Sequence, residues 1–288
     1  MNTINKIILF LFAIVVMSCQ SGKIEKENNL LSVSILPQKY FIERIAGDDF
    51  KVNVLIPPGA SPATYEPTPM QMTGVAKSIA YLRIGHIPFE HAWLSNLIEG
   101  AGEIKVVDLS KGIELVKGMA VKHGDHFHEG GIDPHVWSSP LSVKIIAKNT
   151  FETLVAYAPE KKGEYEKNYN AFLVELEELD RMALEAFQAK QGKSFMIFHP
   201  ALSYLARDYG LNQISVELDG KEPSPTHMKH LVEEAKSKGI NQIFVQKQFN
   251  VENAKAIMAE IGGEVIQIDP LSEDWLSEMK RIINILKD

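Results

Sequence analysis

Short apolar runs alternate with helix-period stretches along most of this chain. Runs that resemble buried strands occur at 31–37 (LSVSILP), 51–58 (KVNVLIPP), 80–85 (AYLRIG) and 104–110 (IKVVDLS). A second set follows at 194–200 (SFMIFHP), 212–218 (NQISVEL), 241–248 (NQIFVQKQ) and 263–270 (GEVIQIDP). Strands that alternate with helices need crossover connections, so the pattern predicts an α/β fold with two four-stranded parallel sheets. The helices carry their own punctuation. In SPTHMKHLVEEAKSKG, Ser224 is placed to cap, Pro225 to open the first turn and Gly239 to end the helix.

Between the two sets lies one long amphipathic stretch. Tyr165, Tyr169, Phe172, Leu173, Leu176, Leu179, Ala183 and Phe187 recur at steps of three and four, forming a single apolar stripe. Pro159 can open this helix and Gly192 can close it. At roughly 30 residues it would run about 45 Å, long enough to lie along both domains. The expected organisation is an N-terminal α/β domain at 31–158, a linking helix at 159–191 and a C-terminal α/β domain at 192–288. A cleft is expected between the domains, and in such sheets ligands gather at the carboxyl ends of strands.

The amino terminus changes the picture by assigning a compartment. Lys6 precedes an apolar run from Ile7 to Met17, too short for a permanent span and suited to a signal-peptide core. Ser18 and Cys19 follow, and Cys19 is the chain's one cysteine. The VMSC segment resembles a bacterial lipobox, so residues 1–18 are expected to be removed and Cys19 lipidated. Residues 19–30 then form a polar tether outside the cytoplasm. With a single thiol no internal disulfide can form, and packing must supply the stability. The net charge of −7 and the absence of a basic cluster argue against a nucleic-acid partner.

Candidate chemistry collects where strands end. His86 closes AYLRIGH, His199 follows SFMIF, and Asp269 stands before Pro270 at the end of GEVIQI. His135 lies in DPHVWSSP, where Pro134 and Pro140 restrict the backbone. Each has an ordinary structural explanation when taken singly; the rim they are expected to share gives them weight together. Imidazole nitrogens with one carboxylate suit a tetrahedral zinc site. No HExxH or nucleophile motif accompanies them, so capture of a metal is expected, not catalysis.

Several segments in order resemble the metal-binding solute-binding lipoproteins of ABC importers, in their zinc-uptake branch. They are PPGASPATYEPTP (57–69), DPHVWSSP (133–140), FHPALSYLARDYGL (198–211), EPSP (222–225) and IDPL (268–271). The resemblance implies two α/β domains joined by a long helix, with one metal ion in the interdomain cleft and delivery to a membrane permease. By position it carries the ligand role onto His135, His199 and Asp269. An imidazole at position 199 suits zinc, whereas manganese relatives tend to have Glu there. The family's first histidine has no counterpart, because Ala63 occupies its place in GASPATYEP. His86 could replace it, water or Glu66 could complete the shell, or binding could be impaired; His86 is the favoured expectation. The expected reading is therefore a monomeric extracytoplasmic Zn²⁺ receptor, anchored through Cys19, with a manganese receptor and a zinc hydrolase as alternatives.

The remaining histidines divide. His123, His126 and His128, with Asp125 and Glu129, are expected in a Gly-flanked loop that captures zinc weakly near the cleft. His91 is expected to be structural or solvent-facing. His227 and His230, three residues apart on a helix, are expected to have no metal role.

Overall fold

The structure, a computed structural model, describes residues 26–102, 104–117, 121–123, 126–128, 131–190, 192–217 and 221–287. Residues 1–25, which include the expected leader and Cys19, lie outside the described residues, as do Asp125 and Glu129. Among the described residues no helix is long and apolar enough to cross a membrane.

In the first lobe β1 (Leu30–Val33) and β2 (Lys51–Val54) precede β3 (Ala80–Arg83) and β4 (Lys105–Asp108). They form a parallel sheet in the order β2-β1-β3-β4. In the second lobe β7 (Ser194–Ile197), β8 (Asn212–Ser215), β9 (Gln242–Gln246) and β10 (Glu264–Ile268) form another, in the order β10-β9-β7-β8. The two sheets have one topology used twice: the first strand of each is flanked by the second on one side and the third on the other. Chain direction across each sheet therefore reverses beside the first strand, and ligand crevices open at such a point.

All eight expected strands are present, and each is shorter than its apolar run. Leu55, Ile56, Ile84, Leu109, Phe198 and Val216 lie beyond the strand ends yet are buried. The runs thus continue into covered turns, which hydrophobicity alone does not separate from strand.

The long helix, residues Lys162–Phe187, is preceded by a 3₁₀ turn at Pro159–Lys161 and followed by another at Gln188–Lys190. Its 26 residues span about 39 Å. Tyr165, Phe172, Leu176, Leu179, Ala183 and Phe187 are buried on one face, while Tyr169 and Leu173 pack at its edge. This face belongs to a core that is continuous between the lobes, running from Leu31 and Tyr81 through Phe172 to Phe195 and Ile197. A smaller cluster around Met196, Val216, Leu231 and Ile257 covers the other face of the second sheet.

Polar contacts also tie the lobes together. The Trp137 indole N–H donates to the Pro270 carbonyl at 3.0 Å, and the Trp275 indole N–H to the Trp137 carbonyl at 2.9 Å. Both rings are buried, so each bond satisfies a group that could not otherwise reach water.

One expectation is corrected. The histidine-rich segment folds as a ribbon of β5 (Val121–His123) and β6 (His126–His128), antiparallel, with His123 opposite His126. A bridge between Lys117 and Ile132 and a bond from the Asp133 amide to the Val116 carbonyl, 2.9 Å, form its base. Both short strands form without the apolar alternation that would announce one.

Candidate metal centre

His135 is placed by a tight polar turn. The Asp133 carboxylate accepts from the His135 backbone amide at 2.9 Å and, through the same oxygen, stands 2.9 Å from the ring Nδ1. The Asp133 carbonyl accepts the Tyr204 hydroxyl of the second lobe at 2.8 Å. A 3₁₀ turn over Val136–Ser138 follows directly. The His135 ring is thereby fixed from both lobes, and it is buried.

His199 leaves β7 at the point where the second sheet reverses. The Gln246 side chain, buried at the end of β9, clips its peptide from both sides, accepting from the His199 amide at 3.3 Å and donating to its carbonyl at 2.6 Å. The ring lies flat on Phe249, with centroids 5.2 Å apart. Its Nδ1 is 2.6 Å from a Glu217 carboxylate oxygen, and Glu217 is buried just past β8.

The two rings meet through their remaining nitrogens, Nε2 to Nε2 at 3.1 Å. In a neutral imidazole, an Nδ1 that donates its proton to a carboxylate leaves a lone pair on Nε2. Both rings have such a carboxylate; with the proton of each held on Nδ1, the two Nε2 lone pairs face each other and repel, which a cation between them would relieve. At Zn–N distances of about 2.0–2.1 Å, two nitrogens of a tetrahedral shell sit about 3.3 Å apart. The observed gap matches. The carboxylate–imidazole arrangement also fixes the tautomer and raises the basicity of a metal-binding nitrogen.

Electrostatics favour a neutral His135 ring. Burial pushes the His135 pKa down; Asp133 works against this, and neighbouring His199 adds to the lowering. Burial acts to raise the Asp133 pKa, but the hydrogen bonds it accepts from His135 help to outweigh it, and the carboxyl is held below its ordinary value. The acid stays ionised and the ring uncharged, the state a metal requires.

Asp269 is not grouped with the two imidazoles. Among the described residues no three His, Cys, Asp or Glu side chains are disposed to hold a metal. Pro270 and Leu271 line the cavity that contains the histidines. The Asp269 carboxylate itself engages Lys247 through Oδ2 at 3.1 Å, while Oδ1 is buried without a hydrogen-bond partner. The Glu278 carboxylate accepts from its amide at 2.7 Å.

The structure does not bring His86 to the pair. Gly85 and His86 both have left-handed φ, +80° and +62°, and the chain bends there after β3. The ring then sits 6.3 Å from that of His91, in the field of Asp108 and Arg83. Ile87 and Pro88 line the cavity in its place. Ala63 lines it too, and Glu66 is exposed on the same turn without being among the lining residues. His91 and His230 are exposed, and His230 has Glu233 3.9 Å from its Nδ1.

Sequence reasoning passed over Asp133, Glu217 and Gln246, which hold the histidines. Glu217 carried a usable signal, a charged residue at the exit of a buried run, just as His199 does.

A family model described as zinc-uptake complex component A, periplasmic (ZnuA) matches residues 32–288. Zinc-binding lipoprotein AdcA of Streptococcus pneumoniae is 27% identical over 311 residues, covering 100% of this chain and 61% of its own length. The chain therefore spans about three-fifths of that relative. The high-affinity zinc uptake system protein ZnuA of Bacillus subtilis is 28% identical over 292 residues, covering 94% of this chain and 91% of that protein. A crystal structure of ZnuA superposes with a TM-score of 0.80 at 36% identity, over 91% of this chain and 98% of that one. The two-lobed fold, the long helix and the match along nearly all of the described chain together make this protein a member of the ZnuA family.

Proposed function

We propose that this protein is an extracytoplasmic receptor that captures Zn²⁺ in the interdomain cleft and hands it to an ABC-type permease, without turnover chemistry. One observation carries the reading: the 3.1 Å approach of two Nε2 atoms whose rings each have Nδ1 beside a carboxylate. That geometry is costly for two neutral imidazoles alone and favourable around a divalent cation. Zinc is favoured over manganese because imidazole is the better donor for it, and manganese stands lowest in the first-row affinity order. The names of the relatives, zinc-binding and zinc-uptake proteins, support the same cargo.

His135 and His199 are the proposed anchors. Asp269 is the proposed third ligand, and it must exchange the Lys247 ammonium for the metal. Lipid on Cys19 would hold a monomeric receptor beside its permease. The histidine ribbon, rooted at Lys117 and Asp133, would collect zinc at the mouth.

Titration of the demetallated protein tests the reading. One zinc per chain should bind, at least a hundredfold more tightly than manganese, and affinity should fall between pH 7.5 and 5.5 as protons compete for the imidazoles. Tighter binding of manganese, or an affinity indifferent to pH, would refute it.

A further inference from the structure

We infer that the metal enters this cleft together with a small carboxylate chelator, such as a free amino acid or a di- or tricarboxylate, whose oxygen takes the position left by Ala63. The inference rests on the zinc-receptor reading and extends it to a second ligand.

The first ground is space. The cavity holding His135 and His199 measures about 530 Å³. A water-sized group occupies about 30 Å³, so a metal with one or two waters would fill a small part of it. The volume falls within the range of about 300–1,000 Å³ typical of small-molecule sites. The second ground is the donor count. Two imidazoles, with Asp269 as the proposed third ligand, leave one tetrahedral position unfilled, and Ala63 on the first-lobe side of the cavity presents only a methyl group. Ala63 is held at the cavity by its turn, in which the Tyr65 amide donates to the Ser61 carbonyl at 3.0 Å and the Phe89 amide to the Pro62 carbonyl at 3.0 Å.

The third ground is the chemistry of the walls. Pro62, Ile87 and Pro88 from the first lobe face the cavity with Phe249 and Leu271 from the second, a lining suited to a carbon skeleton. Gln248 also lines it, and its buried Nε2 has no hydrogen-bond partner. A buried amide donor left unpaired is unfavourable, and a carboxylate oxygen reaching it would satisfy it. Lys117 stands on the same lining. The cavity's own acids, Asp133 and Glu217, are already taken up by the histidine rings. Charge points the same way: with two neutral imidazoles and one aspartate, Zn²⁺ keeps a residual +1, which an anionic oxygen donor reduces.

Equilibrium dialysis with radiolabelled citrate and radiolabelled histidine tests the inference. The full chain is used demetallated, zinc-loaded, and zinc-loaded with the substitutions Ala63→His and Gln248→Leu. Zinc-loaded parent should retain one equivalent of at least one label, tenfold or more above the demetallated protein. Ala63→His should bind zinc and lose that retention, because its imidazole fills the position. Gln248→Leu should keep zinc and retain label at least threefold more weakly. Zinc bound one-to-one with neither label retained overturns this inference and leaves the receptor reading intact. Equal retention by Ala63→His also overturns it. Failure to bind zinc with or without chelator sinks both.

Discussion

The two lobes share one topology and treat their strand exits in opposite ways. In the first lobe the exits close on themselves. Glu90 is buried, and its carboxylate accepts from the Ile84 and Gly85 amides at 2.9 and 2.8 Å and from the Ser34 hydroxyl. The Ser34 hydroxyl also meets the Tyr81 hydroxyl at 2.8 Å. Gln38 accepts from the Ser34 and Ile35 amides and donates to the Leu82 carbonyl at 2.7 Å. Asp108, at the end of β4, is spent on Arg83 and Ser110. In the second lobe the same kind of amide clip, Gln246, holds His199, yet the ring keeps one nitrogen to offer. A polar residue at a strand exit is available as a ligand when its neighbours satisfy all but one of its atoms. Where they satisfy every atom, it is structure.

Breaking the open exit should have the largest effect. His199→Ala or His135→Ala should weaken zinc binding a thousandfold or more, whereas His86→Ala should stay within about threefold of the parent, measured by competition with a chromophoric chelator. A large loss from His86→Ala would return that residue to the shell.

The closed exit should register in stability. Burial raises the Glu90 pKa to about 7, partly offset by its hydrogen bonds. The folded state therefore keeps a proton that the unfolded chain releases near its ordinary value of 4.5, so stability should fall as pH rises from about 4.5 to 7. That slope, worth no more than about 3 kcal/mol, should be missing in Glu90→Gln when demetallated proteins are unfolded in urea across the range. Zinc affinity should be unaffected at pH 7.5.

Smaller changes sharpen the contrast. Glu217→Gln or Asp133→Asn removes the carboxylate behind one imidazole and should cost about 10–100-fold in zinc affinity while keeping one metal per chain. Lys247→Met frees Asp269 from its ion pair and should strengthen zinc binding by about threefold, with the gain shrinking at high salt because an exposed pair is screened. A weaker affinity in Lys247→Met would mean that Asp269 does not exchange partners.

Much of the fold was legible in the chain. Strands buried on both faces of a parallel sheet read as continuous apolar runs, and the linking helix declared itself by its stripe. Strand ends were less legible, since Ile84 or Phe198 is as apolar as the strand before it. In the proposed site, His135 and His199 stood out because each stands at a stiffened or strand-end position, and the structure brings their rings together. Their supporting acids depend on which segments meet in space: Glu217 is 18 residues from His199 in the chain and 2.6 Å away in the structure. His86 lies apart from the pair for a local reason. Its strand end resembles that of His199, but two left-handed residues turn it aside.

X-ray absorption at the zinc edge of the loaded, full-length protein tests the pairing of His135 and His199 most directly. The account predicts two imidazole ligands with the remaining donors oxygen, at distances near about 2.0 Å, and one imidazole in either His135→Ala or His199→Ala. A spectrum with three or more imidazoles, or one unchanged in both variants, would contradict it.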